Sequence, residues 1–281
     1  MPNAERIHIV TGSTSDVPAP WAKEHNVGIV PAVITFGTEE IRDTAEFTME
    51  AFLNKLKGSI QLNIIPTTAA PGPEVFKLFY EYQGPIISVH AGDKISSFWT
   101  SSVTAINELQ RENIYSYNTL NVSLGEGFLA MTAAELEEQG ASMQDIIQAL
   151  NAMRPRTHVA ALCDTLEYLK HSGRVTGAQA FLGSMLNMKP SIHAYENAVV
   201  PLAHERTHKK AVAGLVDWVA GFKPFERLAV LHNGNLEYAK EVAYALRDEF
   251  EQEKMLITLI TKAVAAHVDP DVVGVAFVTA R

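Results

Sequence analysis

The stretch Tyr168–Pro190 reads YLKHSGRVTGAQAFLGSMLNMKP. One fixed cation, Arg174, leads into a segment of small residues (Gly177, Ala178, Ala180, Gly183, Ser184) interleaved with Phe181, Leu182, Met185, Leu186 and Met188. A guanidinium cannot shed its charge, so if buried it needs an anion or several hydrogen-bond acceptors. Small residues at close spacing let another backbone, or a long thin ligand, approach a helix surface. A surface arginine beside an ordinarily packed helix fits the same residues, and spacing alone leaves both readings open.

The rest of the chain narrows the choice. Its 281 residues suffice for one large domain or two medium ones with substantial cores. Hydrophobic content of 47% and charged content of 20% are those of an ordinary globular protein. A net charge of -9 argues against a nucleic-acid surface and against an anionic membrane as constant partner. The single cysteine, Cys163, excludes an intrachain disulfide, and its apolar flanks suggest a buried thiol in a reducing compartment. The early strand IHIVTG leaves no secretory signal before it, so a cytoplasmic protein is expected.

Taken in order, Ile7–Thr11 reads as a buried strand entering the polar turn Gly12-Ser13-Thr14-Ser15-Asp16, with a helix over 18–26. Hydroxyl-rich turns at the carboxyl end of a first strand collect ligands in open α/β sheets, although such residues also cap helices. Val27–Phe36 reads as a second strand broken by Pro31, and Thr48–Leu56 as a helix. Thr67 and Thr68 fall in a loop before a helix that starts near Pro73; their hydroxyls can bind a carboxylate or simply bond the turn. Pro85–His90 is a strand, and Ser96 and Ser97 stand where the next helix begins, a place that favours an anion. A strand over 115–122 and helices from Ser123 to Gln139 and from Ser142 to Met153 lead to Arg154-Pro155-Arg156, the expected domain boundary. Beyond it come a strand over 157–163, a short helix over 164–171, and a hairpin turning at Glu196-Asn197. Helices over 207–220 and 236–251 alternate with strands over 227–231 and 255–261, which suggests a mixed sheet.

His204-Glu205-Arg206-Thr207-His208 is a literal H-E-x-x-H. Zinc chemistry needs both imidazoles on one helix face. Here the residues straddle a strand end and a helix start with Thr207 as N-cap, so no metal site is expected. His267, alone among alanines, suits a structural histidine, or a group that steadies a carboxylate.

The opening stretch is similar to the signature YLxxGGRIxxxxAxLGxLLNIKP of the DegV family of fatty-acid-binding proteins. Tyr168, Leu169, Gly173, Arg174, Ala180, Leu182, Gly183, Leu186, Asn187, Lys189 and Pro190 match, with Ser172 at the first glycine. Further resemblances follow in the family's order. GSTSD is similar to DSTSDLP with Gly12 for Asp, and PTTAAPGPEVF to PTTSQPSPGEF. KISSFWTSS is similar to KLSGTYQSA, NVSLGEG to DSxxxSxGxG with Asn121 for Asp, and AHVDPDVVGVAF to AHTGPGxxGVAF.

This resemblance implies a two-domain α/β fold. A parallel-sheet N-terminal domain (1–155) and a mixed-sheet C-terminal domain (156–281) would hold a long-chain fatty acid in a tunnel between them. Thr67, Thr68 and Ser96 would bind its carboxylate, with His267 behind them. Phe181, Leu182, Met185 and Leu186 would line the acyl tunnel. Arg174 would meet a partner or a phosphate at the mouth, the partner being a fatty acid kinase that acts on the presented acid. The carrier itself would be no enzyme and need no cofactor or metal. Two departures bear on this: Ser97, Phe98 and Trp99 add bulk expected near the head group, and Asp269 and Asp271 are expected to raise the pKa of His267 or repel a carboxylate. The alternative reading is a hydrolase or phosphotransferase acting on a small anion in the same crevice, using the hydroxyls, His267 and Asp269.

Overall fold

The computed structural model describes residues 6–62, 64–174 and 188–281. Strands β1 (His8–Gly12), β2 (Gly28–Val30), β6 (Ile86–His90) and β7 (Ile114–Asn118) form a parallel sheet in the order β2-β1-β6-β7. β1 and β6 are buried along nearly their whole length, as continuous apolar runs in a covered parallel sheet should be. Helices α1 (Ala19–Glu24), α2 (Met49–Gln61), α3 (Pro73–Phe79), α4 (Phe98–Leu109), α5 (Leu124–Glu138) and α6 (Met143–Met153) belong to this half. Ser142 closes a capping box with Asp145 at the start of α6, and Gly140, at φ +81°, follows the end of α5.

Pro31 separates two strands that join different sheets. β3 (Val33–Phe36) leaves the parallel sheet and pairs antiparallel with β4 (Glu39–Arg42) and β5 (Thr67–Ala69). Neither β4 nor β5 was expected from sequence. β4 is a charged, largely exposed edge strand, and β5 is too short for a period of two to show.

The second large sheet has the order β10-β9-β8-β13-β11-β12. Its strands are β8 (Thr157–Leu162), β9 (Lys189–Tyr195), β10 (Ala198–Glu205), β11 (Phe225–His232), β12 (Leu256–Leu259) and β13 (Val273–Thr279). Only the β11–β12 pair is parallel. The expected hairpin is present: Glu196 and Asn197 both have positive φ, the geometry a two-residue hairpin turn requires. β13, unforeseen as a strand, is the central one, between β8 and β11. Helices α7 (Glu167–His171), α8 (His208–Ala220), α9 (Leu236–Ala245) and α10 (Lys262–Ala265) complete this half. Among the described residues no helix is long and apolar enough to cross a membrane.

Sheet-face alternation on the second sheet separates two apolar clusters. Phe277, Val275 and Val230 pack under α8 and α9, whereas Leu231, Ala276 and Ile192 join a core that continues into the parallel-sheet half through Leu124 and Leu129. The hairpin tip also docks on the first half. Asp93 Oδ1 accepts from Asn197 Nδ2 at 2.8 Å and from Asn118 Nδ2 at 2.7 Å. A Cβ on Gly92 would lie 2.1 Å from Asn197 Oδ1, so glycine permits this approach.

Candidate ligand-binding site

The loops that follow β1, β6 and β7 bring Thr14, Ser96 and Ser123 to one cavity. This is the carboxyl edge of the parallel sheet, where such sheets place ligands. The inner face of the second sheet forms the opposite wall. The cavity holds about 870 Å3 of free space, its mouth included. Across the floor Gly274 pairs with Ala161 on one side and Leu231 on the other, and Ala161 pairs in turn with Ile192. The middle of the floor therefore rises no higher than a methyl group, between shoulders of Ile192 and Leu231. A Cβ on Gly274 would stand 3.2 Å from Ala160 O and 3.5 Å from Leu231 Cβ.

Thr68, Ser96, Arg174 and His267 line the same cavity. Thr68 Oγ1 and His267 Nε2 form a 2.6 Å hydrogen bond, while Nδ1 of the ring, sealed from solvent, has no partner among the described residues. Burial, with the nearby Arg174 charge second, pushes the His267 pKa down to about 3, so the ring is neutral. Thr67 takes no part in the lining and is exposed. The reason is the strand: consecutive residues of β5 point to opposite sides, so only one threonine of the pair faces inward.

Arg174 meets its need for acceptors through backbone. It donates to Ser172 O at 2.6 Å, Thr68 O at 3.1 Å and Ile95 O at 3.4 Å. Half-buried on the cavity wall, it ties together the loops that carry Thr68 and Ser96. Ser97 is exposed and accepts from Ala70 N at 3.1 Å, a second tie between the same loops.

The departures act elsewhere than expected. Phe98 is 1% exposed and packs on Phe76 and His90 in the core of the first half. Its ring lies where a side chain at position 12 would point, since a Cβ on Gly12 would come within 2.7 Å of it. Trp99 donates to Ser116 O at 3.3 Å. Neither aromatic lines the cavity. Asp269 accepts from the amides of Asp164 at 2.8 Å and Asp271 at 3.1 Å, and Asp271 accepts from Asn235 Nδ2 at 3.1 Å. Neither carboxylate raises the His267 pKa, which burial lowers instead.

Sequence reasoning assigned no role to Asp16, Asp43, Ser123 or Glu126. Ser123 Oγ donates to Asp16 Oδ2 at 2.5 Å, and Thr14 Oγ1 to Glu126 Oε1 at 3.2 Å. Burial raises both carboxyl groups, Asp16 to about 7 and Glu126 well above the usual range. The polar turn after β1 was the available signal. The partners in each of these two pairs lie more than 100 residues apart in the chain. Phe181, Leu182, Met185 and Leu186 lie outside the described residues.

His204 and Glu205 end β10, Thr207 caps α8 by accepting from Lys210 N, and His208 opens that helix. The H-E-x-x-H residues thus do not share one helix. His208 Nε2 lies 2.8 Å from Glu241 Oε2. Cys163 is 1% exposed, and burial drives its thiol pKa up.

This arrangement has counterparts among known proteins. Protein DegV of Bacillus subtilis strain 168 is 29% identical over 277 residues, 96% of this chain and 98% of its own. A solved DegV family protein of Thermus thermophilus, described for its fatty acid binding, gives a TM-score of 0.88 at 28% identity over 98% of this chain and 100% of that one. The crystal structure of Bacillus subtilis DegV, described as a fatty acid binding protein, gives 0.84 at 28% identity over 98% and 100%. A family model described as an uncharacterised protein of the DegV family matches residues 6–280. That match runs through both large sheets and every wall of the cavity, and this chain belongs to the DegV family.

Proposed function

We propose that the protein binds a long-chain fatty acid, with the acyl chain along the floor of the second sheet and the carboxylate at the Thr68–Ser96–His267 end. The observation that carries this reading is the His267 ring. It lines the cavity beside Thr68 and Ser96, is neutral, and is bonded through Nε2 to Thr68 Oγ1 at 2.6 Å. When His267 Nε2–H donates to Thr68 Oγ1, the threonine hydroxyl proton is free to donate to a carboxylate oxygen. Ser96 adds a hydroxyl donor. Apolar burial supplies most of the affinity, roughly 0.8 kcal/mol per methylene. Two relatives of 28% identity are described as binding fatty acids, which supports the same reading here.

The finer part of the proposal is presentation to a partner. Thr67 and Ser97 are exposed neighbours of Thr68 and Ser96, so the polar end of the cavity lies beneath a reachable rim. A fatty acid kinase that docks there would find the carboxylate close to the surface, with Thr67 and Arg174 framing the approach. The domain division at 155 belongs to this picture, each half supplying one wall. A carrier suits these residues better than a hydrolase or phosphotransferase. His267 is a weak base at neutral pH, and Asp269 spends its oxygens on backbone amides instead of orienting the ring.

Native mass spectrometry of freshly purified protein, followed by denaturation and lipid identification, tests the reading. One bound acid per chain is expected. A folded protein that carries no lipid and shows no thermal shift with added long-chain acids overturns it.

A further inference from the structure

We propose that Asp16 and Asp43 are positioning residues for His267: their carboxylates grip the backbone of the segment that carries the ring and so set its place in the cavity. The proposal rests on the fatty-acid reading above.

The segment runs from the end of β12 through α10 to His267. α10 has four residues, too few to hold a position by its own hydrogen bonds. Its N-cap, Thr261, gives it no side-chain cap. The caps come from the other half of the chain. Asp16 Oδ1 accepts from Thr261 N at 2.6 Å, and Asp43 Oδ2 accepts from Ala263 N at 2.9 Å. Lys262 Nζ pairs with Asp43 Oδ1 at 2.9 Å, and Thr261 Oγ1 donates to Ser13 O at 2.5 Å. Both carboxylates are buried. From this anchored start the chain closes one turn, Ala266 N to Lys262 O and His267 N to Val264 O, each at 3.0 Å, and delivers the ring to Thr68.

Ser123 supplies a second, independent observation. It is a non-glycine residue at φ 56° and ψ -149°, a sparsely populated conformation that persists only where its surroundings enforce it. In that conformation its hydroxyl reaches Asp16 Oδ2 at 2.5 Å while the residue lines the cavity. The strain is thus held at the point where the cavity wall meets the clamp. Either protonation state of Asp16 leaves Oδ1 able to accept from Thr261. A hydrogen bond weakens over a few tenths of an ångström, so a slack segment would separate the ring from Thr68 and from a bound carboxylate.

The test compares the whole protein with Asp16→Ala, Asp16→Asn, Asp43→Ala and Asp43→Asn. Two quantities are read: oleate affinity by displacement of cis-parinaric acid, and the imidazole nitrogen resonances of His267 without ligand. The alanine variants are expected to bind oleate at least tenfold more weakly and to move the His267 resonances. The asparagine variants keep a side-chain oxygen for the backbone N–H and are expected to stay within about threefold of wild type. Folded alanine variants that bind within twofold of wild type, with His267 resonances unmoved, overturn the proposal. Should the alanine variants not fold, Thr261→Pro removes the N–H that Asp16 accepts at a φ of -74° that proline already favours. The same tenfold loss is expected there, and unchanged affinity overturns the clamp. If wild type itself fails to bind oleate, the fatty-acid reading falls, and the His267 resonances alone decide the positioning role.

Discussion

The carboxyl edge of the parallel sheet and the inner face of the mixed sheet meet in one cavity with opposite chemistry. The edge contributes hydroxyls from loops: Thr14 after β1, Ser96 after β6, Ser123 after β7. The face contributes strand residues without polar side chains, among them Ala161, Ile192, Leu231 and Gly274. Loops leave backbone and side-chain polar groups unpaired and available, whereas a central strand spends its backbone on its neighbours and shows only side chains. One wall can therefore orient a head group, and the other can only bury a chain. In the proposed carrier, affinity comes mainly from the face, and orientation from Ser96 of the edge together with Thr68 and His267 beside it.

The largest expected effect tests the face. A straight-chain acid shortened by four methylenes should bind about 3 kcal/mol more weakly, more than a hundredfold, if each methylene is buried on the floor. Isothermal titration across a chain-length series checks this, and a flat series would break the division of labour between the walls.

Next comes pH, where two buried groups, His267 and Asp16, should pull in opposite directions. The His267 pKa is lowered from 6.5 to about 3. Its contribution to stability is complete above pH 6.5 and drains away as pH falls toward 3. The Asp16 pKa is raised from 3.8 to about 7, so its contribution is complete below pH 3.8 and is lost as pH rises to 7. Between pH 6.5 and 5, the stability gap between wild type and His267→Gln should narrow by up to about 2 kcal/mol. Over the same interval the gap to Asp16→Asn should widen by a similar amount. Urea melts at several pH values decide it, and parallel trends in both variants would show that the two groups are not buried as described.

A smaller effect is expected from filling the floor. Gly274→Leu raises the groove between Ile192 and Leu231 and should weaken long-chain acids by about tenfold, with shorter acids less affected. Equal loss for both lengths would mean that the sheet had moved instead of the groove filling. The smallest contrast lies within one dipeptide. Thr68→Val should cost about 1 kcal/mol of acid binding, and Thr67→Val less than about 0.5 kcal/mol. The reverse order would place the wrong threonine on the inner side of β5.

Much of the scaffold was legible in the sequence. The apolar runs at Ile7–Thr11 and Pro85–His90, the capping residues Ser142 and Thr207, and the Glu196-Asn197 turn each carry their own local cause. The same local chemistry separated H-E-x-x-H from a metal helix, because Thr207 prefers to cap. What escaped was set by partners far along the chain. β13 follows an acidic, proline-containing stretch and becomes a central strand only because β8 and β11 flank it. The bulk of Phe98 goes into the core because Gly12 leaves the space empty, a pairing invisible until both are folded.

By itself the sequence determined the alternation of strands and helices, the break at Pro31, and the collection of hydroxyls at strand ends, since these depend on neighbours a few residues apart. Tertiary structure alone decided that Thr68 and not Thr67 faces the cavity, and that Arg174 is satisfied by three carbonyls. It also decided that Asp16 and Asp43 reach across more than 200 residues to hold the segment of His267. Each of these is a matter of direction and distance between distant parts of the chain, which residue order does not encode locally.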